Sequence, residues 1–477
     1  MEPATLLLMI IALLIAFLNF TRVRKLRSPK KLPPGNLGLP LIGETLSFLK
    51  PYSAATIGEF MEHHISRFGK NFSSHLFGNL SIVSTDPELI WFVLKNEGKL
   101  FRNDLSFAFK KVVGKYSMSL ASGDVHKHLR STVLGFLSIE RLRTVFLQDA
   151  DHVAVQIMSS WKDGIVISAK DEATKFSLYI MVKKIMSMSI DNPHIEKLPR
   201  EYDSFIKAFV CFPLYIPGTK YWKAIQSRKY INDMFKKEME ARIEAKGGRN
   251  EGEIEDDFLG WLMKNTDYPQ EKICDLLLGV LFAGHDTTSR AISLLIYFLE
   301  SCPTAVEQLR EEHLQIVRSK KQNGEYRLTW DDYKKMEFTK CVINETLRLG
   351  NIARFTLRCA TKDTEFKDHV IPNGSTVLLH FGAVHMDPSL YEDPTQFNPW
   401  RWLSSPGMKA TDSFMPFGKG LRTCPGADLA RLEMAVFLHH LIPKFDWELA
   451  EPDHPIITPL VEFPRGLLIK VRAVSAC

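Results

Sequence analysis

Cysteine is scarce in this chain. The seven residues, Cys211, Cys274, Cys302, Cys341, Cys359, Cys424 and Cys477, are odd in number and show no Cys-x-x-Cys spacing. That argues against a disulfide framework and against a zinc site. Most of them read as small buried hydrophobes. A strand–Gly-x-Gly-x-x-Gly–helix unit is also missing. Gly418-Lys419-Gly420 lacks the third glycine and the preceding strand, so it is not a nucleotide loop. After Gly43 there is no repeat and no low-complexity tract. The body of the chain lacks a surplus of charge. Of the formal net charge of +6, most lies in residues 1–35, where Arg22, Arg24, Lys25, Arg27, Lys30 and Lys31 stand against Glu2 alone. The remainder is nearly neutral, so composition gives no nucleic-acid footprint. Hydrophobic residues at 45% and charged residues at 24% exclude a disordered or collagen-like chain. The 477 residues exceed one ordinary core, unless the fold is a large single-domain enzyme type.

One long apolar run is present, and it is N-terminal. Ala4–Phe20 carries no charge, and a basic cluster and Leu32-Pro33-Pro34-Gly35 follow. A cleaved signal peptide would carry its charge before the apolar run, whereas here Glu2 precedes it. The segment therefore reads as an uncleaved anchor, at the lower length limit for a span. The positive-inside rule then places the rest of the chain in the cytosol. The expected organisation is an anchor over 1–21, a basic, Pro-rich linker over 22–35 and a catalytic domain over 36–477.

Apolar spacing predicts helices over Ile57–Phe68, Pro87–Asn96, His126–Leu137, Ser138–Trp161, Ala169–Met188, Glu201–Val210, Lys223–Ala245, Tyr268–Glu300, Thr304–Arg318, Thr329–Met336, Glu337–Leu349 and Ala427–Leu441. Asn71–Ser84 alternates around Gly78-Asn79 and reads as a hairpin. Thr356–Cys359 and Thr376–His380 read as short strands, and Lys246–Asp256 as an exposed loop. The class is mainly α with a little β.

Two stretches carry chemistry. Phe417-Gly418-Lys419-Gly420-Leu421-Arg422-Thr423-Cys424-Pro425-Gly426 precedes the last helix. Proline just inside a helix start would put Cys424 at or beside the N-cap, where free N–H groups favour a thiolate. The glycines let backbone approach a flat ligand. Alone, a cysteine in a Gly-rich turn reads as buried packing. The second stretch, Ala283-Gly284-His285-Asp286-Thr287-Thr288, interrupts an otherwise apolar helix. Such a cluster is costly unless satisfied or used. Ala283 and Gly284 leave room for a ligand. Thr287 can bond a carbonyl one turn back and bend the helix, and an acid beside an alcohol can relay protons. The plainer reading is a solvent-facing polar patch. His285 reads as a satisfied bystander.

The Cys424 run resembles the haem-ligand loop of the cytochrome P450 family, with Phe417, Gly418, Gly420, Arg422, Cys424 and Gly426 at the family's positions. The resemblance implies a P450 fold behind a transmembrane helix, with haem b held by Cys424; the thiolate's push toward O–O cleavage is a general property of that family. It also implies Asp286 and Thr287 as the acid–alcohol pair and Ala283 against the haem. Glu345-Thr346-Leu347-Arg348 alone is a common i,i+3 ion pair. With Phe397–Trp402 it matches a Glu345–Arg348–Arg401 network that braces the Cys424 loop. His126, Arg130 and Arg358 match residues facing the haem propionates, which suit cationic forks. Lys127 and Lys419 add charge to the face for an electron donor.

The resemblance spans Leu32 to Val471 and is strongest to plant sterol and triterpenoid oxidases. Trp330–Asn351 and Glu433–Glu451 are similar to the sterol C-22 hydroxylases of brassinosteroid synthesis. Arg354–Lys362, Lys419 and Phe101–Met118 depart from them. The implied activity is monooxygenation of a sterol side chain with O2, at C-22, on cholesterol or campesterol. A triterpenoid, steroidal saponin or alkaloid precursor is the alternative substrate. Implied partners are an NADPH-dependent flavoprotein reductase and the endoplasmic reticulum membrane, with no nucleic acid. Phe109, Leu214, Phe355, Leu357 and Val461 are the expected substrate contacts. Two rival activities are a haem-thiolate isomerase or dehydratase and a haem-binding sensor.

Overall fold

The computed structural model describes residues 9, 12–14, 16–17, 31–39, 42–189, 192–211, 213–246, 256–324, 327–404, 413–458 and 460–474. Most of the expected anchor, most of the basic linker and nearly all of the 246–256 loop lie outside them. Among the described residues no helix is long and apolar enough to cross a membrane. The Pro-Pro-Gly break is held down: the Ser73 amide donates to the Pro34 carbonyl at 2.8 Å, and its hydroxyl to Pro33 O at 2.7 Å.

The helical body is organised around one element. Helix α4 (Gln270–Glu300) has 31 residues, about 46 Å at 1.5 Å each. Its apolar residues point to nearly every side, as expected of a helix that runs through a core rather than along it. Around it pack α2 (Ala169–Met186), α3 (Pro193–Ile206), α5 (Glu337–Gly350) and α6 (Ala427–Leu441), with α1 (Gly123–Phe136) on the flank. The crossing of α2 and α4 is close at Gly284. A Cβ there would lie 2.4 Å from Met181 Cε. The Ser177 hydroxyl of α2 donates to the His285 carbonyl of α4 at 2.9 Å. Gly284 therefore also serves the close packing of α2 on α4.

Among the described residues, four small sheets surround the body. The largest has the order β2–β3–β9–β6–β4: Asn71–Leu76, Asn79–Ser84, Thr376–His380, Phe355–Ala360 and Phe101–Asn103. Its β3–β9 pair is parallel, with Ser81 opposite Thr376, and the other pairs are antiparallel. β1 (Tyr52–Ser53) pairs with β11 (Ile456–Ile457), which turns back into β12 (Val461–Glu462). β10 (Phe445–Leu449), β13 (Leu468–Ala473) and β5 (Val166–Ser168) form a third sheet, and β7 (Thr364–Phe366) with β8 (His369–Ile371) a fourth.

Most predicted helices stand within two or three residues of their expected ends. The exceptions have physical causes. α3 begins at Pro193, eight residues before the predicted Glu201, because Pro199 inside it reads as a break. Asn192 caps it by accepting from the His194 amide at 2.9 Å. Its predicted end, Lys207–Val210, is a 3-10 turn. Helices at Phe107–Val112 and Phe258–Asn265 were not legible, being too short to show a period.

Candidate active site

Cys424 lies two residues before Gly426, the N-cap of α6, one step further out than the predicted position. The loop closes on itself through Cys424 N to Phe417 O at 2.9 Å. Gly418 and Gly420 have φ of +68° and +78°, the region where a side chain would be strained. A Cβ on Gly420 would also crowd the Leu94 carbonyl at 3.1 Å. Among the described cysteines Cys424 alone is exposed. It is nonetheless enclosed on most sides, and that burial pushes its thiol pKa up, against the Gly426 N–H and the Arg130 and Arg431 guanidiniums, which pull it down. The loop by itself therefore does not make the thiolate that helix-end reasoning predicts. A coordinated metal ion would, because it deprotonates a ligating thiol outright.

Behind the loop sits a cluster of cations. Arg130 Nη1 donates to the Thr423 carbonyl at 2.5 Å. Arg358 Nε pairs with Glu97 Oε2 at 2.9 Å, and Arg422 Nε pairs with Glu97 Oε1. Arg422 also reaches Ala121 O at 2.5 Å. His126 is buried, and burial first, then Arg422, holds its pKa below 6.5, which leaves it neutral. Three guanidiniums against one carboxylate leave an excess of two positive charges beside an accessible thiol. A haem held through a thiolate takes one thiol for its iron and cations for its two propionates, so these residues fit it. Glu97 was not foreseen; nothing in its spacing marks it as buried.

The bracing network is complete. Glu345 accepts from Arg348 Nε and Nη2 at 2.9 and 2.8 Å, Arg401 Nε at 3.0 Å, the Asn398 amide at 3.0 Å and Trp402 Nε1 at 2.9 Å. Arg348 donates onward to the carbonyls of His385 and Pro394, both at 2.7 Å. His385 in turn accepts the Met415 amide at 2.9 Å. Burial and Arg348 lower its pKa to about 3, so it stays a neutral acceptor. Sequence reasoning supplied the three charged residues but not Trp402, the Asn398 amide or His385, which carry the brace to the segment just before the Cys424 loop.

On α4, Ala283 is exposed within a helix whose flanks are buried. The Thr287 hydroxyl donates to the Ala283 carbonyl at 2.6 Å, one turn back as predicted. Asp286 takes a different partner: Arg290 grips it at 2.9 and 3.0 Å. Thr287 and Asp286 therefore face separate surroundings. His285 is a satisfied bystander, bonded to the Leu281 carbonyl at 2.9 Å with its ring 4.7 Å from that of Tyr202.

The expected substrate contacts divide. Val461 is buried beside Asp286 and Arg290. Phe109 is buried against Phe205, which meets Phe282 of α4. Leu214 is a correction: it is exposed, on a surface loop. Phe355 and Leu357 are partly buried. Strand alternation turns both onto the Phe60, Phe72 and Leu378 cluster, while Thr356 meets Arg358.

Comparison with known proteins agrees with this geometry. The Cytochrome P450 family profile matches residues 33–471. The chain is 49% identical to "Cholesterol 22-monohydroxylase CYP90B52" of Paris polyphylla, over 98% of this chain and 99% of that protein. It is 47% identical to "Cholesterol 16,22-dihydroxylase CYP90G4" of Trigonella foenum-graecum, over 97% and 96%. It is 47% identical to "Steroid (22S)-hydroxylase" of Oryza sativa subsp. japonica, over 94% and 89%. The fold is similar to that of "Retinoic acid bound cyanobacterial CYP120A1", with a TM-score of 0.82 at 26% identity, covering 93% of this chain and all of that one. With an accessible thiol on the Gly-rich loop and the braced network beneath it, the chain belongs to the cytochrome P450 family.

Proposed function

We propose that this monooxygenase hydroxylates the side chain of a cholesterol-like sterol at C-22. It uses O2 and electrons that reach it from NADPH through a separate flavoprotein reductase. The observation that carries this reading is near-full-length identity of 47–49% to relatives named for hydroxylation at position 22. Haem, when bound, supplies the oxygen-activating chemistry. The chain's own residues do the rest. Cys424 would hold the haem iron through its thiol. Arg130, Arg358 and Arg422 would hold its propionates, the last two being fixed by Glu97. Ala283, exposed on α4, would leave room for a flat cofactor against the helix. The Thr287 hydroxyl, anchored on the Ala283 carbonyl, is placed to hold a proton and water at the site of oxygen chemistry, and Asp286 exchanges protons with solvent behind it. The aromatic rings of Phe109, Phe205 and Phe282 exclude water.

An Asp–Thr pair within α4 disfavours an isomerase or dehydratase, which has no use for a proton relay. Consumption of NADPH that depends on both reductase and sterol separates the monooxygenase from that reading and from a sensor. The similarity to a 16,22-dihydroxylase favours a second reading, in which a further oxidation occurs on the ring. Incubation of the reductase-reconstituted enzyme with cholesterol and campesterol, with products identified by mass spectrometry, tests both. Ring-only hydroxylation with an untouched tail defeats the C-22 assignment.

The chain is also proposed to reside in the endoplasmic reticulum membrane, with 1–21 as a single anchor, 22–35 as linker and 36–477 facing the cytosol. A second apolar contact supports this. Leu214, Tyr215 and Ile216 are 51%, 59% and 55% exposed in succession, a run suited to the interface where a sterol would enter.

A further inference from the structure

Arg290 lies four residues after Asp286 on α4. An i,i+4 ion pair on a helix is ordinarily a weak surface contact. This one is not at the surface, since the two side chains are 15% and 13% exposed. The guanidinium uses all three of its nitrogens. Nε and Nη2 hold the two oxygens of Asp286. Nη1 donates to the main-chain carbonyl of Val461. Val461 opens β12, a two-residue strand held by β11, which in turn pairs with β1. The same side chains line a cleft that runs to the surface beside Lys170 and Glu462, an ion pair at 3.6 Å with both partners partly exposed. Ser289 and Ser293 line it on the α4 side.

We propose that Arg290 is a positioning residue that ties strand β12, through the Val461 carbonyl, to the acid on α4. When a sterol packs against Val461, the Val461 carbonyl is fixed, and through one rigid fork the Asp286 carboxylate is fixed at the inner end of the solvent cleft. Substrate presence and proton supply are thereby linked by a single side chain. The inference rests on the sterol hydroxylase reading above. A planar guanidinium suits this task because it can satisfy a carboxylate and a carbonyl at once in fixed directions, which a lysine ammonium on a flexible stem cannot.

The link has a stoichiometric signature. A completed turnover takes one sterol, one O2, one NADPH and one proton, and returns hydroxysterol, water and NADP+. A failed one takes one O2, one NADPH and one proton, and returns hydrogen peroxide and NADP+. Poor placement of the acid shifts flux from the first to the second without removing the sterol site.

The test uses the full-length haem-loaded enzyme with its reductase, as wild type, Arg290→Lys and Arg290→Gln. Two quantities are read: hydrogen peroxide formed per NADPH, and amide hydrogen exchange over 284–292 and 456–463 with and without cholesterol. In the wild type, cholesterol is expected to slow exchange in both segments together. In both variants it should still protect 456–463 but no longer 284–292, and peroxide per NADPH should rise roughly three- to tenfold. Arg290→Lys, which keeps the charge, guards against a folding defect in the glutamine variant. Protection of both segments in Arg290→Lys with unchanged peroxide overturns the inference while leaving the sterol reading intact. Absence of any cholesterol effect in the wild type overturns the sterol reading, and the inference falls with it.

Discussion

Arg358 and Arg422 grip opposite oxygens of the same carboxylate, that of Glu97. The arrangement fixes two cations from distant parts of the chain side by side, which mutual repulsion would otherwise oppose. It also leaves each guanidinium with donors to spare. Replacing Glu97 by Gln should leave two part-buried cations poorly compensated and cost about 3–5 kcal/mol. The measurement is haem content and thermal midpoint of the purified variant. A Glu97→Gln enzyme with full haem occupancy and an unchanged midpoint would show that the carboxylate is dispensable.

Cys424→Ser should abolish the strongly red-shifted Soret band of the reduced carbon monoxide complex, which reports a thiolate opposite the gas. The fold should survive, because no hydrogen bond of the bracing network uses the thiol. Retention of the band would assign the iron to another ligand.

Thr287→Ala removes the hydroxyl that donates to the Ala283 carbonyl. Sterol affinity should change little, while product formed per NADPH falls about tenfold or more and hydrogen peroxide takes its place. Equal coupling in variant and wild type would remove the hydroxyl from the reaction.

Deleting residues 1–31 should release the enzyme from vesicles only in part, through the Leu214–Ile216 run. Serine at 214, 215 and 216 in that truncated chain should abolish the remaining binding in a co-sedimentation assay. Complete release by the deletion alone would leave the loop without a role at the membrane.

Glu433 on α6 is fully buried, and neither of its carboxyl oxygens has a hydrogen-bond partner among the described residues. Burial raises its pKa well above 4.5, so it is neutral in the folded chain. In the unfolded chain the group ionises above about 4.5. The folded state therefore holds a proton that the unfolded state releases, and stability falls as pH rises from the unfolded value toward the folded one. Glu433→Met keeps the volume and removes the ionisation. It should be more stable than wild type by about 1–3 kcal/mol near pH 4.5, where an unsatisfied buried carboxyl is removed, and by more at pH 7.5, where the ionisation of the unfolded wild type adds to this. Chemical unfolding at the two pH values measures this; an equal difference at both would exclude the linkage.

Legibility followed the range over which each signal acts. The 3.6-residue periodicity is local, so α4, α5 and α6 could be located almost to the residue. The Cys424 run, the Asp286-Thr287 step and the Glu345–Arg348 pair were legible because each is contiguous or nearly so. Glu97, Trp402, His385 and Arg290 were not, because their partners lie far along the chain or on an unpredicted strand. β4 and β12, with three and two residues, are too short to show alternation. Leu214 was misassigned because an apolar residue in a loop serves equally well as pocket wall or as outer surface.

The five donors on Glu345 come from two stretches of chain, 348 and 398–402. A carboxylate enclosed with only some of its donors in place is worse off than one still in water, so partial docking of the second stretch onto α5 is disfavoured. Closure over Glu345 is then all or none. Through Arg348, the His385 carbonyl and the Met415 amide, the same step seats the segment leading to Cys424. The consequence is kinetic: the loop should mature late and abruptly during folding, and a chain caught before that moment would present its thiol on a strand still free to move. Haem capture would then report completion of the core rather than initiate it.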